Sequence, residues 1–384
     1  MKNKDRPIYL DHNASTPILP AVLQAMLPYL QENFGNPSSA HPYGKTLRKA
    51  IERAREQVAQ LISCSPDEVY FTSGGTEANN LAIRGVAKAR PERRHLVTSV
   101  IEHPATSGPC NYLEQSGYRV SRVAVDGRGQ VLPEAISQAL CQDTALLTVM
   151  HANSETGTLQ AIAEFSDMAH RVGALVHSDA AQSCGKVKLQ VEHEGIDLLS
   201  IAGHKLYAPQ GVGALFVRRG TPIEALIIGA GHECGLRPGT ENVAAIAGLG
   251  KACEIAHFSQ QEEGLRLVQL RDRLFSRIQE QVPGLALNGH PSQRLPNTLN
   301  LRFPGVSGTA LLAACPEIAA STGSACHEAG ESASAIILAM GIAPQDALGS
   351  VRLTLGRGNT SDEIERTADA LAQAWSQLVC RTVN

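Results

Sequence analysis

Seven short apolar runs, at 69–72, 96–100, 119–125, 145–149, 174–177, 198–201 and 213–217, punctuate the first two-thirds of the chain. Helical patterns lie between several of them, at 133–140 and 162–171 for example. Apolar runs of this length read as strands covered on both faces, with the intervening helices as the cover. Alternation of the two confines the chain to βαβ units on a mostly parallel sheet, an α/β fold whose site gathers at the carboxyl ends of the strands. Residues 47–62 predict an amphipathic helix, with Leu47, Ile51, Ala54, Val58 and Leu61 on one face and Arg48, Glu52, Arg55 and Glu56 on the other.

At 384 residues the chain is too long for one ordinary core. Its character changes after about residue 250. A charged helix is expected over 253–282, then a Pro/Gly-rich stretch, a Gly/Ser loop at 321–332 and a closing helix from 361. The expected division is a large domain at 16–255 and a smaller α+β domain made of 1–15 and 256–384, which carries the 321–332 loop. Aromatic residues make up only 4% of a chain that is 43% hydrophobic, which suits small aliphatic side chains packing helices on a sheet. A net charge of −3 without a long basic run argues against a nucleic-acid binder. No run reaches membrane-spanning length and no apolar segment follows the charged residues 1–6, so a cytoplasmic protein without a membrane association is expected. The nine cysteines are scattered without a CxxC pair, against both a disulfide framework and a metal site.

Asp179 lies just past the run at 174–177, and Lys205 follows the run at 198–201 in the turn Ala202-Gly203-His204-Lys205. A carboxylate at one strand end and a lysine at the next suit pyridoxal 5'-phosphate. Its aldehyde takes a lysine amine, and its pyridine nitrogen needs an acid partner to stay protonated. A salt bridge or two unrelated surface charges is the plainer reading of the pair alone. Thr72-Ser73-Gly74-Gly75-Thr76-Glu77 reads as strand, glycine turn and helix start, where free N–H groups meet an anion. Thr76 there either caps the helix or bonds a phosphate.

His103 follows another strand and either stacks on a flat cofactor and moves protons or is structural. Asn153 either bonds a phenolic oxygen or makes a turn, and Gln182 shares the sheet edge of Asp179. Ser321-Thr322-Gly323-Ser324-Ala325-Cys326 places small residues before one thiol, a nucleophile if it ionises and inert otherwise. Arg352, in the middle of an expected strand, forks onto a substrate carboxylate or makes a structural ion pair.

Taken together and in order, these residues resemble the cysteine desulfurases and selenocysteine lyases, fold-type I pyridoxal-phosphate enzymes of the class V aminotransferase group. The resemblance covers nearly the whole chain, from Tyr9-Leu10-Asp11-His12-Asn13 through Glu102-His103, Gly203-His204-Lys205 and Arg237-Pro238-Gly239-Thr240 to Arg352. It implies that Lys205 carries the cofactor, Asp179 pairs with its ring nitrogen and His103 stacks on it. Asn153 and Gln182 would hold the phenolic oxygen, while Gly75, Thr76 and His204 would meet the phosphate. Thr240 would reach the phosphate of a second subunit, implying a homodimer. Arg352 would bind the substrate carboxylate with Asn13 nearby, and Cys326 would take up sulfur as a persulfide for a sulfur-acceptor protein. Ala202 departs from the serine common at that position, which puts one phosphate contact in doubt and keeps L-selenocysteine open beside L-cysteine as substrate. Cys184, close behind Gln182, is expected to be core packing. A non-catalytic scaffold is the reading from another class, and the simultaneous presence of Lys205, Asp179, His103 and Cys326 argues against it.

Overall fold

The computed structural model describes residues 6–323 and 332–382. Twelve strands occur among them: β1 (Ile8–Tyr9), β2 (Val69–Thr72), β3 (His95–Ser99), β4 (Arg119–Val123), β5 (Thr144–Thr148), β6 (Leu175–Asp179), β7 (Leu198–Ala202), β8 (Gly213–Val217), β9 (Ala286–Asn288), β10 (Thr298–Arg302), β11 (Ile318–Ala319) and β12 (Ser350–Thr354). The helices that bear on the site are α1 (Pro20–Gln31), α2 (Pro42–Ile62), α3 (Gly75–Ala89), α4 (Pro104–Gln115), α5 (Pro133–Ala139), α6 (Ile162–Arg171) and α7 (Val243–Gln281).

All seven predicted runs are strands of one sheet, in the order β2-β8-β7-β6-β5-β3-β4. β8 runs antiparallel to both of its neighbours, and the other pairings are parallel. β2 therefore points the same way as β3 to β7, and the carboxyl ends of β2, β3, β5, β6 and β7 share one edge. Every residue of β3, β5, β7 and β8 is buried, which is why these strands read as unbroken apolar runs. Several of the polar exceptions are paired within the sheet, although Thr98 Oγ1 in β3 has no hydrogen-bond partner among the described residues. His177 in β6 meets Thr148 Oγ1 at 2.8 Å and Ser200 Oγ at 3.0 Å, and burial pushes its imidazolium down to about 3.

The boundaries differ from expectation where capping chemistry decides them. α2 begins at Pro42, ahead of the apolar stripe, because the His41 side chain accepts Gly44 N–H and proline tolerates the first turn. α7 begins at Val243 rather than 253, capped by Asn242, whose side chain accepts Ala245 N–H. Its first turns are small and apolar, so the charged pattern of its second half did not reveal them.

α1 and α2 pack against α7. The α2 contact is close: a Cβ on Gly250 would stand 2.6 Å from Ala54 Cα. The first half of α7, including Ala245, Leu249 and Cys253, belongs to the core beside the large sheet. Its second half, including Leu267, Leu274 and Ile278, belongs to another core with β10 and β12. That core covers the antiparallel sheet β12-β10-β9. The N-terminal β1 pairs in parallel with β11, so residues near the chain start reach this second region. Among the described residues no helix is long and apolar enough to cross a membrane.

Candidate active site

β2 ends in a turn through Gly74, whose φ of +146° is open to glycine alone among common residues, and α3 starts directly after it. Gly74 is the N-cap, so no side chain caps α3. Thr76 is the second helical residue rather than the cap, and the first-turn N–H groups lack a capping oxygen. Gly75 faces Ala202 at the end of β7, where a Cβ on the glycine would stand 3.2 Å from the alanine Cβ. The uncapped helix start thus lies against the strand end that leads to Lys205.

A cavity of about 240 Å³ opens here, bounded by Gly75, Thr76, His103, Asp179, Gln182, His204 and Lys205. Asp179 is the last residue of β6. Its Oδ2 accepts Asn79 Nδ2 at 2.7 Å and its Oδ1 accepts Ala181 N–H at 2.9 Å. Asn79, on α3, is fully buried, and its Oδ1 has no partner. His103 caps α4, with Nδ1 accepting Ala105 N–H at 3.0 Å, so the neutral ring carries its proton on Nε2. Desolvation lowers its imidazolium, and Lys205 adds to this while Asp179 opposes it. Glu102 beside it is buried and pushed up to about 8 by desolvation, although Ser99 Oγ at 2.5 Å and Met150 N–H at 3.1 Å favour its ionised form.

Lys205 ends the short 3-10 turn Gly203–Lys205 after β7. Its Nζ donates to the backbone oxygens of Asn13 at 2.5 Å and Ala14 at 2.7 Å. Burial pushes its ammonium down to about 8, with Arg352 acting the same way and Asp11 and Asp179 pulling against it. His204 meets Ser15 Oγ at 3.3 Å, and burial followed by Lys205 pushes its imidazolium down to about 4.

The residues expected at the substrate end are engaged with one another. Arg352, central in β12, donates from Nη2 to Asp11 Oδ1 at 2.8 Å and from Nη1 to Ser154 O at 3.3 Å, with Nε unpartnered. The structural ion pair is therefore present in this structure, and one guanidinium nitrogen remains free. Asn13 is buried, with Nδ2 donating to Ser154 O and Thr298 Oγ1. Asn153 holds its turn, its Oδ1 accepting the N–H groups of Glu155 and Thr156. Only longer contacts of 3.4 Å, to Ile101 O and Met150 Sδ, hold its Nδ2. The cavity wall at that point is Ala152 and Ser154 rather than Asn153 itself. Thr240 is exposed and away from this wall.

Cys326 lies outside the described residues. The chain leading toward it is tied to the site, since Ser321 and Arg352 exchange backbone hydrogen bonds. Beyond it, Ser334 Oγ donates to Glu155 Oε2 at 2.6 Å. Cys184 is core packing: it is 2% exposed and burial pushes its thiol up to about 12. Among the described residues no group of three or more His, Cys, Asp and Glu is placed to hold a metal ion.

An uncapped helix start, a carboxylate fixed by an amide, an imidazole and a desolvated amine share one cavity at the carboxyl edge of a mostly parallel sheet. That combination defines a fold-type I pyridoxal-phosphate enzyme. Residues 8–367 match the Aminotransferase class-V family. The cysteine desulfurase IscS of Dictyoglomus turgidum is 43% identical over 382 residues, covering 99% of this chain and 96% of that protein. A solved structure described as a NifS-like protein superposes with a TM-score of 0.91 at 34% identity, covering 97% of this chain and all of that one. A second, described as SspA in complex with cysteine, gives a TM-score of 0.82 at 34% identity over 90% of this chain and 98% of that one. The chain belongs to the cysteine desulfurase family within the class V aminotransferases.

Pyridoxal phosphate is the cofactor of this family, and the cavity suits it. The free N–H groups of α3 match the phosphate, Asp179 matches a protonated ring nitrogen, and Lys205 is an amine ready to take an aldehyde. Sequence reasoning missed Asn79, which lines the cavity, and Lys186, whose Nζ donates to Asn13 and Gln182. Asn79 was readable as the position one helical turn past Gly75, on the same face of α3. Lys186 was readable as a cation four residues past Gln182, the two being the only large polar residues in the stretch 180–187.

Proposed function

We propose that this protein converts L-cysteine to L-alanine and leaves the sulfur on Cys326 as a persulfide. The observation that carries the reading is the convergence of Lys205, Asp179 and His103 on one cavity. Bound pyridoxal phosphate supplies an electron sink for the carbanion formed at the substrate α-carbon.

The remaining steps belong to the chain's own groups. Gly75, Thr76 and His204 hold the phosphate, and Asp179, oriented by Asn79, keeps the ring nitrogen protonated. Gln182 serves the phenolic oxygen, and Asn153, set behind Ala152 and Ser154, holds the turn beside it. Lys205, whose proton affinity is lowered by burial, takes the α-proton at Nζ. His103, neutral with Nε2–H, handles a second proton beside it. Arg352, with Asn13 holding the adjoining chain, receives the substrate carboxylate. The Cys326 thiolate attacks the substrate sulfur; a sulfur–sulfur bond forms, the carbon–sulfur bond breaks, and a proton replaces sulfur on carbon to give alanine. A sulfur-acceptor protein, of the iron–sulfur assembly or thiolation class, then takes the persulfide sulfur.

We also propose a homodimer, with Thr240 reaching the phosphate of a second subunit. Its exposure, and that of Ile228 at 92% in the preceding segment, supports a surface meant for another copy. The domain division at 16–255 accompanies this reading. Action in the cytoplasm accords with cysteines that form no disulfide among the described residues.

The test is anaerobic incubation of the holoenzyme with L-cysteine, and in parallel with L-selenocysteine. Alanine should appear with one added sulfur on Cys326 by peptide mass spectrometry. Alanine from selenocysteine alone would overturn the assignment of cysteine.

A further inference from the structure

Lys186 lies in the turn that leaves β6, four residues beyond Gln182, and nothing in the mechanism above uses it. Its Nζ donates to two side-chain amide oxygens, Asn13 Oδ1 and Gln182 Oε1, each at 3.2 Å. Both are neutral acceptors. We propose that Lys186 is a positioning residue of this site: its amine fixes which way the amides of Asn13 and Gln182 point and sets a second basic group beside Lys205. The proposal rests on Lys205 being the cofactor-bearing amine.

The geometry follows from hydrogen-bond inventory. With Oε1 taken by Lys186, Gln182 turns Nε2 onto Asn13 O at 3.0 Å, the same oxygen that receives Lys205 Nζ. With Oδ1 shared between Lys186 and Asn297 Nδ2, Asn13 turns Nδ2 onto Ser154 O and Thr298 Oγ1. Ser154 O in turn accepts Arg352 Nη1. One amine thereby reaches both Lys205 and Arg352 through two amides. An amide at 13 or 182 turned by half a revolution would present N–H to these donors and break the chain of contacts.

The charges facing Lys186 come from several elements. Lys205 comes from the turn after β7 and Arg352 from β12; both are cationic, and after burial they push Lys186 down to about 7, while Cys184 opposes them. His12, on the N-terminal segment, is pushed down to about 4 by burial and then by Lys186. Glu263 of α7 and Arg357 line the small cavity of about 30 Å³ that Lys186 and Lys205 both border. Lys186, at about 7, is largely neutral before Lys205 titrates at about 8, so Lys186 acts on Lys205 through the amides of Asn13 and Gln182 rather than through its charge.

The experiment compares wild-type holoenzyme with Lys186→Met and Lys186→Gln, reading the pH midpoint of the visible cofactor band together with kcat and KM for L-cysteine. Lys186→Met should keep the band and its midpoint, lower kcat roughly tenfold and raise KM through the loosened Asn13 and Arg352. Lys186→Gln keeps a donor without the charge; it should show the same midpoint and recover part of kcat. A kcat and KM within about twofold of wild type in Lys186→Met, or no recovery in Lys186→Gln, would overturn the proposal. Loss of fold in Lys186→Met leaves Lys186→Gln to decide: a kcat no better than about a hundredth of wild type there counts against it. Failure of the underlying reading is distinct, because then Lys205→Ala would keep the wild-type visible band.

Discussion

Asn79 Nδ2 and Asp179 Oδ2 stand 2.7 Å apart, joining the first turns of α3 to the end of β6. The amide fixes the carboxylate with one donor and leaves its own Oδ1 unpartnered. Asp179→Asn replaces a charge by a neutral group in the same space. Turnover should fall by about 10²-fold or more while the fold is kept. The checks are steady-state alanine formation and circular dichroism; unchanged turnover with cofactor bound would refute the pairing. Asn79→Ala frees the carboxylate to rotate and should weaken cofactor retention by a smaller factor.

Lys205→Ala removes both the amine for the aldehyde and the base for the α-proton. Turnover should be abolished, and the visible band that borohydride bleaches in wild type should be absent. Alanine formation near the wild-type rate would refute the assignment.

Ala202 touches Gly75 at the start of α3, so a hydroxyl placed there faces the phosphate end of the cavity. Ala202→Ser should tighten cofactor binding. A hydrogen bond to a charged group contributes roughly 1.5–3 kcal/mol at most, which bounds the gain near a hundredfold in Kd. Equilibrium titration of the apoprotein measures it, and unchanged affinity would mean that the phosphate is already fully bonded.

Glu102 links pH to stability. Its carboxyl titrates near 8 when folded against an ordinary 4.5, so between those values the folded chain holds a proton that the unfolded chain has lost. Stability from this group therefore falls as pH rises through that window. Over about two pH units the loss is on the order of 2–3 kcal/mol. Glu102→Gln should flatten the decline of Tm between about pH 5.5 and 7.5 relative to wild type. Parallel curves for the two proteins would show that Glu102 is ionised in the fold.

Cys326→Ala should keep the visible band and still bind cysteine, yet lose desulfuration. The loss on selenocysteine should be smaller, because selenium leaves more readily. Normal desulfuration of cysteine by the variant, or sulfur found on Cys184, would refute the persulfide step.

The sheet was legible because its strands are buried on both faces, which leaves runs such as Leu198–Ala202 unbroken by charge. Asp179, Lys205 and His103 were legible because each stands at a strand end with chemistry that a turn does not need. The roles of Asn153 and Arg352 were less so. Both sit in motifs that permit two readings, and in the structure each is drawn into local contacts, Asn153 by its turn and Arg352 by Asp11. Lys186 and Asn79 left only a local trace, a cation one turn past Gln182 and a polar residue one turn past Gly75, because one decisive partner of each lies far away in sequence, 173 residues off for Lys186 with Asn13 and 100 for Asn79 with Asp179. Periodicity reports only what a residue does to its near neighbours.

α7 belongs to both cores, and at 39 residues it extends roughly 58 Å without interruption. A helix shared in this way acts as a mechanical axle. Neither region can melt without stripping apolar cover from one half of α7 and fraying the other. Heat should therefore produce a single calorimetric peak in this chain rather than two.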